Sequence, residues 1–359
     1  MRASSSDATP EGAPPEEERP RRRRRRGSFL RSLLILVLLG ALVAGGAGYW
    51  GWKRFQAPGP TAAETTVVIP KGAGLSRIAQ ILHDAGVITE DWLFKIGVKV
   101  KGQDQALKAG EYAIPAGSSM QQVMELLVSG LTVVHKVTVP EGLSAWEIVQ
   151  VLNAAPDLEG PAIEVVPAEG TLLPETYFFE RGDTRQDILD RMVAGHKDAL
   201  ARLWPARASG LPIENEAEWI ILASIVEKET GLPDERPLVA SVFVNRLKQG
   251  MRLQSDPTVI YGITAGEGPL GRGLTRKELD TATPYNTYQI DGLPPGPIAN
   301  PGLASLEAVL HPAETKYLYF VADGTGGHVF AETLKEHNEN VRKWREIEKK
   351  RQKEQQQQQ

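Results

Sequence analysis

The chain has 359 residues, 41% of them hydrophobic and 24% charged, with a formal net charge of -4. That length allows two or three domains, and so small a net charge gives no global basic field, which argues against nucleic acid as a partner. Cysteine is absent altogether, so disulfides, thiolate metal sites and cysteine nucleophiles are excluded.

What positive charge there is gathers near the N-terminus: Arg19, the run Arg21 to Arg26, and Arg31. The Ser-, Glu- and Pro-rich residues before it cannot bury enough apolar surface to fold, so residues 1–28 read as a disordered tail. From Ser32 to Trp52 there is no charge. About 20 residues, each rising 1.5 Å, cross a hydrocarbon core of roughly 30 Å, so a single transmembrane helix is expected over 29–52. Tyr49, Trp50 and Trp52 would form its interfacial belt, with Lys53 and Arg54 beyond. The larger arginine cluster stays cytoplasmic and puts the rest of the chain outside. A cleaved signal peptide is the alternative, but the apolar run is long for one and lacks a convincing cleavage site. Residues 53–65 read as a linker.

Three segments then align without gaps: IPKGAGLSRIAQIL (69–82), IPAGSSMQQVMELL (114–127) and VPEGLSAWEIVQVL (139–152). Each is a short apolar strand, a Pro-x-Gly turn and a helix that a nearby Ser can cap. Unequal spacing between the copies excludes a solenoid. The pattern resembles the first half of LysM modules, small βααβ domains that bind N-acetylglucosamine-containing glycans. We therefore expect a LysM-like region over 66–155. Generic β-turn-α units packing a core are the competing reading.

A Pro- and Gly-rich connector follows, then a polar helix from about Arg185 to Arg202, in a domain expected to span 156–345. Its central helix is NEAEWIILASIVEKETG (215–231), apolar on most sides. Asn215 and Glu218 are placed for a capping box, and Gly231 for a left-handed C-cap. Two acids, Glu227 and Glu229, close it on different faces. Apolar neighbours, low exposure and the negative end of the helix dipole favour a protonated Glu229. A carboxylic acid neutral near pH 7 is what protonation of a glycosidic oxygen requires. Glu227 remains the second candidate, as acid or as substrate contact. Beyond a second helix (235–251), two segments read as loops, 252–263 and 283–302. They carry Gln254, Ser255, Asp256, Thr258, Tyr261, Tyr285, Asn286, Thr287 and Tyr288, the aromatic faces and short hydrogen bonders of a sugar cleft. The Gln-rich 346–359 is low complexity.

Four blocks together carry a resemblance: EGTLLPETY, ASIVEKETGLPDERPLVASVFVNRLKQGMRLQSDPTVIYGI, TPYNTYQIDGLPPGPIANPG and HPAETKYLYFVADGTGGHVF. They resemble the endolytic murein transglycosylase (YceG-like) family, over about residues 66–345. The resemblance implies cleavage of the MurNAc-β-1,4-GlcNAc bond of peptidoglycan in the periplasm, beside the inner membrane and peptidoglycan synthases. Glu229 followed by Thr230 is similar to the Glu-Ser pair of other lytic transglycosylases. Glu229 would protonate the leaving oxygen, then act as base while the C6 hydroxyl of the same MurNAc closes a 1,6-anhydro ring. Gln254, Asp256, Thr258, Tyr285, Asn286 and Tyr288 are the expected sugar contacts. No cofactor is implied. His311, His328 and His337 lack metal-ligand spacing.

Two other readings stand beside this one. A muramidase would hydrolyse the same bond with Asp256 as a second carboxylate, and a non-catalytic glycan-binding scaffold would need only the anchor and the LysM-like part. The expected fold is α+β: the membrane helix, the small LysM-like βα module, then a mixed α/β catalytic domain with the glutamate helix against a sheet edge.

Overall fold

The computed structural model describes residues 26–357. The expected tail therefore lies almost wholly outside the described residues. The first element is α1 (Arg26–Gln56), with no acid in its first turn and Lys53 and Arg54 in its last. It is long and apolar enough to cross a membrane. The helix does not stop at Trp52 but continues through residues expected to be linker, because Phe55 is buried in the core of the next unit.

That unit runs β1 (Thr65–Ile69), α2 (Leu75–Asp84), α3 (Asp91–Val100), β2 (Gly110–Ile114) and α4 (Met120–Ser129). β1 and β2 pair antiparallel, with Val67 opposite Tyr112. Alternation on the strands turns Val67, Ile69, Tyr112 and Ile114 onto Ile78, Leu82, Phe94, Val123 and Leu127. The second unit is built the same way from β3 (Val134–Thr138), α5 (Ala145–Ala154), β4 (Thr176–Glu180) and α6 (Arg185–Leu203). Val137 faces Tyr177 across its antiparallel pair. Because β3 and β4 pair, the expected boundary at residue 155 falls inside this unit.

All three strand–turn–helix repeats are present, and the glycines of their Pro-x-Gly turns, Gly72, Gly117 and Gly142, have φ of 80, 69 and 75°. Such values are open to glycine and strained for other residues. Ser119 and Ser144 cap α4 and α5 in full capping boxes. The first copy departs from expectation: Gly74, not a serine, precedes α2, and no side chain caps it.

The last unit is mainly helical. It comprises α7 (Glu216–Glu229), α8 (Arg236–Lys248), α9 (Asp256–Thr264), the short α10 (Arg276–Asp280), α11 (Leu303–Leu310), β5 (Tyr319–Ala322), β6 (His328–Ala331) and α12 (Leu334–Gln357). The turn GGHVF does lead into a strand, β6. Residues 256–264, expected to be loop, form α9, while 282–302 is irregular as expected.

Helix α7 does not lie on a sheet edge. It packs on α8, α11 and α9, and the β5–β6 pair covers α8 and α12 instead. An apolar surface on nearly every side of α7 is met by helices, with Trp219 fully buried and its Nε1–H donating to Leu306 O at 2.9 Å. Asn215 caps α7 through the Glu218 N–H, but Glu218 turns its own carboxylate to the Glu214 N–H, so no reciprocal box closes. The helix ends at Glu229, and Thr230 follows in extended conformation (φ −144°), which replaces the expected glycine cap.

Candidate active site

Glu229 is the last residue of α7 and is partly exposed. Its Oε1 accepts a 2.5 Å hydrogen bond from Ser255 Oγ. Ser255 occupies the N-cap of α9 without capping it: the hydroxyl usually spent on a helix N–H is spent on the acid. The serine is itself fixed. Its N–H donates to Thr287 Oγ1 at 2.9 Å, and its carbonyl accepts from Thr258 Oγ1 at 2.7 Å. The hydroxyls of Thr258 and Thr287 lie 2.9 Å apart. A chain of buried hydroxyls thus pins α9 and the 282–302 loop to the end of α7.

Burial pushes the Glu229 carboxyl from its ordinary 4.5 up to about 7. The neighbouring Asp256 charge adds to the rise, while the Ser255 bond and the more distant His328 and Arg246 oppose it without cancelling it. The acid is therefore substantially protonated at neutral pH, the state from which it can donate.

Asp256 opens α9 and is exposed, and its Oδ1 accepts a 2.6 Å bond from the Tyr288 hydroxyl. Burial first and Asp256 second raise the Tyr288 phenol, which stays protonated and donating. Gln254 is exposed and sits at φ 53°, a left-handed conformation rare for a residue with a side chain. Its N–H donates to Thr287 O, and its Oε1 accepts from Arg246 Nη1 at 3.3 Å. Arg246 is buried and anchors the turn further through the carbonyls of Leu253 and Leu318. Such backbone strain, held by many bonds, is typical of functional turns. Gln254 and Asp256 flank Ser255, which bonds the acid, and Tyr288 reaches Asp256 from the 282–302 loop.

Four expected contacts are placed otherwise. Thr258 and Asn286 are fully buried. Thr258 serves the hydroxyl chain, and the Asn286 amide donates to the carbonyls of Glu278, Leu279 and Thr281, closing α10 against the loop. Tyr285 packs on Tyr261 with ring centroids 5.0 Å apart and a 54° tilt, the Tyr261 hydroxyl donates to Glu169, and both rings lie against the core that holds α7. Glu227 has a side chain only 5% exposed; it pairs with Arg236 at 3.4 Å and accepts the Gly302 N–H at 2.9 Å. Each of its oxygens thus has a partner within the fold.

The Thr230 hydroxyl of the Glu-Thr pair is spent elsewhere. Thr230 is buried and its hydroxyl donates to Glu235 Oε2 at 3.0 Å, away from Glu229. Glu235 in turn meets His328 Nδ1 at 2.7 Å. The hydroxyl on the acid belongs to Ser255, 26 residues further on. Arg246 is the site residue to which sequence assigned no role; Ser255 and Thr287 were read as short hydrogen bonders of a sugar cleft, and the structure ties Ser255 to the acid and Thr287 to Ser255. Among the described residues no three His, Asp or Glu side chains are grouped to hold a metal ion.

Comparison with known proteins places this geometry in context. The profile of the YceG-like family matches residues 67–343. The chain is 34% identical over 336 residues to the endolytic murein transglycosylase of Bacillus subtilis (strain 168), covering 84% of this chain and 91% of that one. It is 30% identical over 361 residues to the protein of the same name from Streptococcus pneumoniae serotype 2, covering 85% of this chain and 63% of that one. A crystal structure of a YceG-like protein from Listeria monocytogenes is similar at 33% identity and a TM-score of 0.45, over 77% of this chain and 98% of that one.

Proposed function

Since this chain belongs to the YceG-like family, we propose that it is an endolytic lytic transglycosylase that cuts peptidoglycan strands at the MurNAc-β-1,4-GlcNAc bond. One observation carries the proposal: a carboxylic acid at the end of a buried helix, Glu229, kept protonated near neutrality by burial and oriented by Ser255.

Glu229 gives its proton to the glycosidic oxygen as the bond from MurNAc C1 breaks, and the GlcNAc leaves with a free 4-hydroxyl. The carboxylate so formed takes the proton of the C6 hydroxyl of the same MurNAc. The C6 oxygen bonds to C1 and closes the 1,6-anhydro ring. An intramolecular nucleophile removes the need for the second catalytic carboxylate of ordinary glycosidases. Gln254, Asp256 and Tyr288 hold the sugar around the bond. Asp256 has one oxygen engaged by the Tyr288 phenol, which favours a positioning role over activation of water.

In this reading α1 anchors the protein in the inner membrane with the arginine-rich end cytoplasmic and the catalytic unit in the periplasm. The site then works close to the bilayer, on nascent strands beside peptidoglycan synthases, and limits their length. The βααβ order of residues 65–114 supports a LysM-like, glycan-gripping role for the first unit.

The test is mass spectrometry of purified peptidoglycan digested by the full-length chain in detergent, beside Glu229→Gln. Internal products with 1,6-anhydroMurNAc ends, absent with the variant, are expected. Reducing ends would identify a hydrolytic muramidase instead, and no cleavage by folded wild-type protein would identify a scaffold.

A further inference from the structure

The function just proposed uses none of the first unit's outer surface, yet α3 carries an apolar stripe there. Leu93, Phe94 and Val98 face the core. On the opposite side Trp92, Ile96 and Val100 are 48, 51 and 77% exposed. Their spacing of four residues lines them along one face. Two lysines, Lys99 and Lys101, are exposed beside them.

This stripe is continuous with α1. Trp92 stacks on Trp50 with ring centroids 6.4 Å apart, and Lys101 Nζ lies 4.7 Å from the centre of the Trp52 ring. The two ends of a ten-residue helix, about 15 Å apart, thus reach α1 residues separated by only about 3 Å of rise. Both ends of α3 are thus held against α1 near Trp50 and Trp52. The contact is close: a side chain at Gly97 would strike the Phe55 ring, and one at Gly51 would touch Leu93. An apolar groove of about 390 Å³ runs along the junction, lined by Trp50, Phe55, Trp92 and Ile96 among others.

Depth follows from counting. The uncharged run begins at Ser32, and about 20 residues span the hydrocarbon core, which brings Trp50 and Trp52 to the bilayer surface. Through Trp92 and Lys101, both ends of α3 touch α1 at that level. Aromatic and aliphatic residues on one face with basic residues beside them are the pattern of interfacial helices.

We propose that α3 is a second membrane-contacting element, seated in the headgroup region of the outer leaflet with Trp92, Ile96 and Val100 in the acyl boundary. It rests on the reading of α1 as a membrane span. Because Phe55 joins α1 to the core of the first unit without a break, α3 fixes the height and tilt of that unit above the bilayer, so it stands at a set distance from the surface instead of swinging on a tether.

The absence of cysteine makes the test direct. Single variants Ile96→Cys and Val100→Cys of the full-length chain carry a nitroxide label in vesicles of phosphatidylethanolamine and phosphatidylglycerol. Leu38→Cys in α1 is the lipid reference and Glu216→Cys, exposed at the start of α7, the water reference. Accessibility to dissolved oxygen and to a polar nickel chelate is then read by electron paramagnetic resonance. Labels at 96 and 100 should be open to oxygen and at least fivefold less open to nickel than the label at 216. Equal nickel access at 96, 100 and 216, with 38 in lipid, would overturn the proposal while leaving the span intact. Low access to both reagents would overturn it in favour of a second copy of this chain covering the stripe. A label at 38 open to nickel would overturn the span and the proposal together.

Discussion

Ser255 Oγ donates to Glu229 Oε1 at 2.5 Å, joining the N-terminus of α9 to the C-terminus of α7. The bond favours the ionised carboxylate and so opposes the burial that raises its pKa. It also sets the direction in which the remaining proton points. One hydroxyl thus tempers the acidity that burial sets and orients the acid.

Ser255→Ala is accordingly expected to move the basic limb of the pH–rate profile upward by about one pH unit, since a bond favouring the charged form is lost. Turnover at the optimum should fall about tenfold as the acid loses its orientation. Ser255→Thr, which keeps the hydroxyl, should recover most of both. An unmoved profile in the alanine variant would mean that the bond does not tune Glu229.

Glu229→Gln should lower turnover by a factor of about 10²–10⁴ and at the same time stabilise the fold at alkaline pH. The folded carboxyl is raised from 4.5 to about 7. Its protonated form is compatible with burial below about 4.5, and stability is lost as pH climbs through about 7, to the extent of up to ~3 kcal/mol. Thermal melts of both proteins should therefore coincide near pH 4 and separate by pH 8, with the variant the more stable.

Glu227 offers the contrasting case. Glu227→Ala leaves Arg236, whose side chain is 8% exposed, with Glu141 as its one remaining charged partner beside the Ser305 hydroxyl, and frees the Gly302 N–H. A loss of about 3 kcal/mol is expected from breaking a buried pair. Turnover measured well below the melting temperature should stay within about threefold of wild type. Abolished turnover in a folded Glu227→Ala protein would return the acid's role to Glu227.

At Gln254 stability and function should part. The residue holds φ 53°, so Gln254→Gly should raise stability by up to ~1 kcal/mol through relief of backbone strain. The same change removes the exposed amide, and KM for glycan strands should rise several-fold. Paired melts and kinetics distinguish the two effects, and a destabilised glycine variant would show that the Arg246 contact outweighs the strain.

How far the residues alone carried the reading depended on distance along the chain. Local rules worked because their causes are local: the uncharged run made α1, and the Pro-x-Gly turns placed three strand–helix units with their glycines at positive φ. The separation of Glu227 from Glu229 also came from helix periodicity. Capping near α7 was read less well, since Glu218 had a competing donor in Glu214 and extended backbone at Thr230 ended the helix before Gly231. Residues 256–264 looked like loop because Gly, Pro and Asp punctuate them, and packing against α7 made them helical.

By itself, then, the sequence determined the length and apolar character of the N-terminal helix, the repeated units, the family, and an acid at the end of a buried helix. These rest on composition, periodicity and contiguous motifs. Tertiary structure alone decided which polar residues face the cleft and which hold it together. Thr258, Asn286 and Glu227 have the same chemistry as the residues that reach the site. They differ in having been buried by partners from elsewhere in the fold, and a buried polar group must spend its hydrogen bonds on those partners.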